Sequence, residues 1–414
     1  MKAGLRNIRA LLELLGHPEH HYPSVHIAGT NGKGSTASMI ASVLTASGYR
    51  TGLYTSPHLE HFGERIRIDG RPISPRELAV YARRLRPDIR RLRATFFEAT
   101  TAIAFQLFRD RNVDVAVIES GLGGRLDATN VIRPLLSIIT NISLEHTEHL
   151  GSTPGEIAFE KGGIIKPSVP CVTGTSNRAA LEVLRAIAAK RNSELIGVSP
   201  HRSVRILSRS VSGLTISVKA EDRRYDRLKI SLPGDHQGGN ALLALVALGR
   251  LAGDPRFGKI ADASVRRGLW EIGGYSGLRG RMDILVRRPL IIGDVAHNPD
   301  GMRTMSRSLE KLLPGPKVVV IGVLKDKDFR SMLDALPPGV RGVVAVTPRT
   351  ERALDGRILE DYLFSKGRNA LHGGSVSRGV RMALNEVRRG ETVLITGSHY
   401  VVAEALRTLR RLKG

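Results

Sequence analysis

The feature that most constrains this chain is a glycine-punctuated turn set between an apolar segment and a helix-like run, His26-Ile27-Ala28-Gly29-Thr30-Asn31-Gly32-Lys33-Gly34-Ser35-Thr36. Val25 and Ile27 lead in as a buried strand does, and residues 37–46 continue as a helix. A strand that passes into a helix through such a turn can aim several backbone N–H groups inward at the positive end of the helix dipole, which makes a cradle for phosphate. Lys33 can neutralise a phosphate there, and Ser35 or Thr36 can ligate a magnesium ion. The spacing departs from G-x-x-x-x-G-K-[ST], because Gly34 separates Lys33 from Ser35 and Ile27 stands where the first glycine would fall. On the residues alone the alternative is a glycine-rich turn whose helix is capped by a serine.

A length of 414 residues allows two or three domains, and 41% hydrophobic with 25% charged residues is ordinary globular composition. The single cysteine, Cys171, excludes an internal disulfide and sits in the apolar stretch 169–172, so it reads as core in a reducing compartment. No leader-like segment follows the opening basic residues, and no apolar run is long enough to span a bilayer, so a cytoplasmic protein without a membrane partner is expected. The net charge of +24 raises nucleic acid as a partner. Against that, the basic residues are dispersed, with Arg pairs at 83–84, 266–267, 388–389 and 410–411, and aromatics are only 4%. Solvated helix faces that attract anionic small molecules are the better reading, with no specific nucleic acid.

Apolar spacing over residues 4–15 fits one helical face, and 51–55 reads as a second strand. Residues 75–85 and 100–109 read as helices. Continuous apolar runs at 114–118 and 135–140 are of the kind buried in a parallel sheet. Polar clusters follow the strand ends: Ser56-Pro57-His58, the run from Glu119 through Gly121, Gly123 and Gly124 to Asn130, and Asn141 to His146. This alternation argues for a doubly wound α/β domain, in which ligands gather beyond the carboxyl ends of the strands. Short alternating segments between 203 and 231 suggest an antiparallel appendage. Residues 240–251 and 262–270 read as helices, and the glycines of 273–280 as a linker. Strand and helix alternate again to the end, so the expected division is an N-terminal phosphate-loop domain, 1–280, and a smaller C-terminal α/β domain, 281–414. Glu119, after an apolar strand, is a candidate magnesium ligand, and Asp294 with His297 could hold a ribose or orient a substrate. An N-cap role for Asp294 or Asn298 weighs equally on the residues.

The ordered set GTNGKGST, TSPHL–FGERIRIDG, FFE, ESGLGGRLDATN, TNISLEH–LG, EKGGIIK, GDHQGGNALLAL, DVAHNPDG, LKDKDF and TGSHY resembles the folylpolyglutamate synthase/dihydrofolate synthase family of the Mur ligase superfamily. The resemblance runs from about residue 4 to about residue 405. It implies a Mur-ligase-like fold and an ATP-dependent ligase. In that reaction the acceptor's carboxylate takes the γ-phosphoryl group, and the amino group of L-glutamate displaces phosphate to form an amide. By motif, Gly29, Thr30, Asn31, Gly32, Lys33, Gly34, Ser35 and Thr36 would hold the triphosphate, with Asn240, Arg281, Asp294 and His297 as further nucleotide contacts. Ser35, Ser56, Glu119, His146 and a carbamylated Lys161 would ligate Mg²⁺, with Mn²⁺ an alternative because a histidine is in the set. Lys33, His146, Lys161 and His297 would be catalytic, while Glu145, Phe97 and Ser398 would meet pterin or glutamate. The partners implied are small molecules, and a monomer is usual in the family. Three residues depart from its pattern: Glu145 for an aspartate, Gly162 for an alanine, and Arg279 for a proline.

Overall fold

The structure, a computed structural model, describes residues 4–412, so the outermost residues of both expected domains, 1–3 and 413–414, lie outside the described residues. The chain forms two compact units, one comprising residues up to 208 with 214–231 and 237–278, the other 209–213, 232–236 and the residues from 279 onward.

The first unit is built on eight strands: β1 (Ser24–Ala28), β2 (Thr51–Tyr54), β3 (Ile66–Ile68), β4 (Arg71–Pro72), β5 (Val115–Glu119), β6 (Leu136–Ile139), β7 (Cys171–Thr173) and β8 (Leu195–Gly197). Their order is β4-β3-β2-β5-β1-β6-β7-β8, parallel from β2 to β8 and antiparallel at the β3 and β4 edge. Every residue of β1, β5 and β6 is buried, the pattern expected where helices cover both faces. Beneath one face lie the helices Arg6–Leu14 and Phe96–Asp110, whose Ile8, Leu11, Leu12, Phe105 and Phe108 form a core with Tyr54 and Ile118. A second core joins Ile139 and Cys171 to the helices Pro154–Gly162 and Arg178–Lys190 through Ile157 and Leu184.

Register aligns the functional edge. Ile27 lies opposite Glu119 on one side and Ile138 on the other, and Tyr54 lies opposite Ile118. The segments after β1, β2, β5 and β6 therefore leave the sheet at one level, at the point where β1 has β5 on one flank and β6 on the other. The helix Lys33–Ala46, whose small hydroxyl residues are interspersed among its apolar ones, is buried nearly all round. It meets the helix Asp262–Trp270 backbone to backbone at Gly268, where a methyl group would lie 2.6 Å from the Val43 Cα, and Ser42 Oγ donates to Gly268 O at 2.6 Å.

The appendage read at 203–231 is a three-stranded sheet of β9 (Val204–Ser210), β10 (Gly213–Ala220) and β11 (Arg223–Ile230), with β10 and β11 antiparallel. The second unit carries β12 (Asp283–Arg287), β13 (Leu290–Gly293), β14 (Lys317–Ile321), β15 (Val340–Thr347), β16 (Ala370–Ser375) and β17 (Thr392–Thr396), in the order β12-β13-β17-β14-β15-β16, parallel except at β12. No helix among the described residues is long and apolar enough to cross a membrane.

Several elements differ from the expectation. The helix read at 100–109 starts earlier, at Phe96, because Thr95 and Glu98 form a reciprocal capping box. The helix read at 75–85 continues to Leu92 through Pro87. The glycine-rich stretch read as a linker contains a short helix, Ile272–Ser276, closed by Ser276 Oγ donating to Ile272 O at 2.7 Å.

Phe108 is fully buried, with its ring 6.0 Å from Tyr22 and directly under Gly52, where an added methyl would lie 2.9 Å from the ring. Phe108→Ala should lower the stability of the first unit by about 3–5 kcal/mol in urea unfolding of the full chain.

Candidate active site

Two glycines shape the loop after β1. Gly29 has φ +147°, and a methyl there would sit 1.9 Å from Thr140 Oγ1. Gly32, at φ +85°, is the N-cap of the helix Lys33–Ala46, and a methyl there would sit 2.4 Å from Asn240 Oδ1. The helix cap is therefore glycine and not the serine of the alternative reading. Gly34, Ser35 and Thr36 fall inside the helix, all buried, and Thr36 Oγ1 has no hydrogen-bond partner among the described residues.

The end of β6 fixes the loop. Thr30 N donates to Asn141 O at 2.9 Å, Asn31 N to Asn141 Oδ1 at 2.7 Å, and Thr140 Oγ1 to Asn31 O at 2.7 Å. Thr30 Oγ1 donates to Ser143 O and accepts from Ser143 N, both at 3.1 Å. With the N–H groups of Thr30 and Asn31 so engaged, the donors that face outward come from the first helical turn, whose N–H groups lack intrahelical partners by geometry. That arrangement, with Lys33, suits a chain of phosphates.

Lys33 Nζ donates to Gly29 O at 2.9 Å and Thr30 O at 3.1 Å, and Lys161 Nζ donates to the same Gly29 O at 2.7 Å. Lys161 is 3% exposed. Burial, then the charge of Lys33, bring its pKa down to about 7, against the opposite pull of Glu145 and Asp127. Its amine is thus substantially neutral, and nucleophilic, at and above neutral pH. The next residue, Gly162, faces the helix Arg178–Lys190, where a methyl would come within 2.6 Å of Ile187 Cδ1.

Glu119 ends β5 with 4% exposure, and its Oε2 accepts from Ser56 N at 3.2 Å. His146 caps the short helix Thr147–Leu150 in a left-handed conformation, with Nε2 3.8 Å from Glu145 Oε1. Phe97 lies against Gly121, where a methyl would meet its ring at 2.5 Å. Asn240 Nδ2 donates to the buried Gln237 Oε1 at 2.9 Å. The sequence reading assigns no role to Asp127, yet this buried carboxylate holds the glycine run after β5. It accepts from Gly121 N and Leu122 N, each at 2.9 Å, and from Thr129 Oγ1 at 2.5 Å. Thr129 in turn meets His26 Nε2 at 2.8 Å. Burial pulls the His26 pKa down to about 3, so the β1 contact is made by a neutral imidazole. Thr140 and Asn141 hold the phosphate loop and Gln237 holds Asn240, and of these three only Asn141 belongs to the strand-end polar cluster that the sequence singles out.

In the second unit, Asp294 follows β13 and accepts from Met282 N at 2.9 Å and Ala296 N at 2.8 Å. Burial raises its pKa to about 6 despite the charge of Arg281. Asn298, not Asp294, caps the helix Pro299–Leu312 through Gly301 N at 2.7 Å. His297 Nδ1 donates to Val295 O at 2.9 Å. Arg281 Nη1 reaches Gly280 O at 3.2 Å. Ser398 is the N-cap of the helix His399–Arg411 and accepts from Val401 N at 3.3 Å. Arg279, the third departure, lies 3.8 Å from Asp283 Oδ2.

Residues 27–248 match the family model described as the Mur ligase middle domain, and residues 280–399 match the Mur ligase glutamate ligase domain. The chain is 36% identical to the folylpolyglutamate synthase of Lacticaseibacillus casei, over 98% of this chain and 94% of that one. Among solved structures it is similar to Mycobacterium tuberculosis folylpolyglutamate synthase complexed with ADP and AMPPCP, with TM-score 0.89, 34% identity, and coverage of 98% and 95% of the two chains. It is also similar to Escherichia coli FolC in complex with DHPP and ADP, with TM-score 0.87, 28% identity, and coverage of 100% and 95%.

Gly29→Ala combines an unfavourable φ with a methyl driven into Thr140. Thermal unfolding of that variant should show a loss of about 1–3 kcal/mol, of which making Thr140 Ala as well should recover only the steric part, leaving the cost of the backbone angle.

Proposed function

The chain belongs to the folylpolyglutamate synthase/dihydrofolate synthase family of Mur ligases, and we propose on that premise that it joins L-glutamate to the carboxylate of a pteroate or folate at the expense of ATP. The observation that carries the reading is the convergence of Lys33 and Lys161 on the Gly29 carbonyl, beside a helix N-terminus whose Gly29 and Gly32 lie where a methyl group would clash.

A carboxylate is a poor electrophile. Transfer of the γ-phosphoryl group to its oxygen gives an acyl phosphate and releases ADP. The glutamate amine then attacks the acyl carbon, the carbon–oxygen bond to phosphate breaks, and the amine's surplus proton passes to solvent. ATP, the acceptor and glutamate are all anionic molecules, so the protein's work is positioning and charge neutralisation. Lys33 and the first-turn N–H groups Gly34, Ser35 and their neighbours hold the phosphates. Arg281, Asp294 and His297 are proposed as nucleotide contacts, with His297 and Ser398 toward glutamate, and Phe97 and Glu145 toward the pterin.

The donor set suits a divalent cation, with the buried carboxylate of Glu119 and the hydroxyls of Ser35 and Ser56 as hard oxygens. Ser35, Ser56, Glu119, His146 and Lys161 would hold Mg²⁺ or Mn²⁺, whose charge offsets that of the phosphates. Lys161 would serve as a carbamate, formed when its neutral amine adds to CO₂ with loss of a proton. The carbamate nitrogen keeps one N–H, enough to retain the Gly29 contact. We read the protein as a cytoplasmic monomer acting on small molecules, in keeping with a lone buried cysteine whose thiol burial pushes up to about 12.

ADP release should depend on both L-glutamate and either dihydropteroate or tetrahydrofolate, assayed separately with radiolabelled glutamate, and Lys33→Ala should abolish it with the fold intact. Equal ATP hydrolysis without either substrate would sink the ligase reading. With ¹³C-labelled bicarbonate, a carbamate carbon resonance should be visible at pH 8, fade as pH falls below about 7 and the amine protonates, and be missing from Lys161→Arg.

A further inference from the structure

A second cluster of ligating side chains lies at the other end of β1. The segment His17-Pro18-Glu19-His20-His21 precedes the strand, whereas the phosphate loop follows it, so about 13 Å of extended chain separates the two. Pro18–His20 is a single tight turn, fixed by His20 N donating to His17 O at 3.1 Å and by His21 Nδ1 donating to the same carbonyl at 3.1 Å. The turn brings His17 Nδ1 to 3.1 Å and His20 Nε2 to 3.7 Å from Glu19 Oε1, with the two imidazoles stacked at 5.2 Å.

The carboxylate is the informative member. Glu19 is 7% exposed, and its Oε2 is buried with no hydrogen-bond partner among the described residues. A plain ion pair leaves that oxygen unsatisfied, at the cost that attends a buried charge short of donors, and turns two imidazoles on one acceptor atom. A cation held by the three side chains gives the two imidazoles and Oε1 a shared partner and neutralises the buried carboxylate whose Oε2 lacks a donor. Ligands at 2.0–2.1 Å around a tetrahedral ion lie about 3.3 Å apart, between the two separations seen here. Two imidazoles with one carboxylate suit Zn²⁺ and its neighbours Co²⁺ and Ni²⁺ better than Mg²⁺, which takes oxygen ligands. The half-exposed His17 and the exposed His20 leave the remaining position open to water.

We propose that His17, Glu19 and His20 form a binding site for a zinc-class divalent ion, distinct from the ligase centre, that ties down the turn feeding β1. The test uses the full chain, stripped with chelator and kept in excess Mg²⁺ so that hard-oxygen sites are filled. Zn²⁺ titrated by calorimetry should bind at one equivalent and raise Tm, and Co²⁺ in its place should give the visible absorption of a tetrahedral ion. His20→Ala and His17→Ala should each weaken Zn²⁺ binding at least tenfold and remove the Tm rise, since loss of even an outer-sphere partner costs that much. His201→Ala, which alters an exposed histidine elsewhere, should change neither. Glu19 is buried and its variants can misfold, so the two histidine variants decide the matter. Absence of Zn²⁺ binding, or binding undiminished in the His17→Ala/His20→Ala double variant, would overturn the proposal.

Discussion

One backbone carbonyl, that of Gly29, accepts from two lysines, and the geometry around the phosphate loop depends on it. The carbonyl is aimed by a φ open to glycine and by Thr140, whose hydroxyl occupies the space a side chain would need. Lys33 reaches it from the first turn of the following helix, while Lys161 reaches it from a helix 132 residues away in sequence. Local and long-range structure therefore meet at a single oxygen. Displacing it would misplace both lysines, and the loop is also tied to Asn141 and Ser143 at the end of the neighbouring strand.

The parallel sheet supplies the level edge on which this works. Continuous apolar strands are buried on both faces, so their register is set by packing and their polar ends emerge together. The chain then spends its polar side chains on holding the loops. Asp127 gathers the N–H groups of the glycine run after β5 and reaches β1 through Thr129 and His26. Glu64 does the same after β2, accepting from the N–H groups of Leu59, Glu60 and His61. Neither residue need touch a substrate to matter.

Much of this was legible in the residue order, for a physical reason. Strand, turn and helix around Gly29 and Gly32 announce themselves because only glycine tolerates those backbone angles, and the buried runs at 115–119 and 136–139 are apolar but for Ser137 and the terminal Glu119. Strand-end placement grouped Ser56, Glu119 and the Asn141–His146 segment. Less visible were β7 and β8, three residues each and too short for a period to declare itself. The roles of Thr140 and Gln237 were equally hidden, because they arise from pairing across the fold and not from spacing. Between Asp294 and Asn298 as helix cap, sequence gave no preference. Asp294 is turned back on Met282 N, and that long-range bond is what leaves Asn298 to cap.

Lys161 bears on why the site is more than a stable fold. Moving a lysine from its ordinary pKa of 10.5 to about 7 corresponds to about 5 kcal/mol of differential interaction, taken from folding stability wherever the unfolded chain would be charged. Between pH 7 and 10.5 the unfolded state binds the extra proton, so this contribution makes the fold more stable as pH rises. A methionine of similar reach would bring no such cost. A buried amine set beside Lys33 is an arrangement that packing alone would not favour, and groups perturbed in this way cluster at functional sites. The proposed conversion to a carbamate would reverse the electrostatics. An anion beside Lys33 is attracted where an ammonium was repelled, so the same two side chains that strain the bare protein would complement each other in the working enzyme.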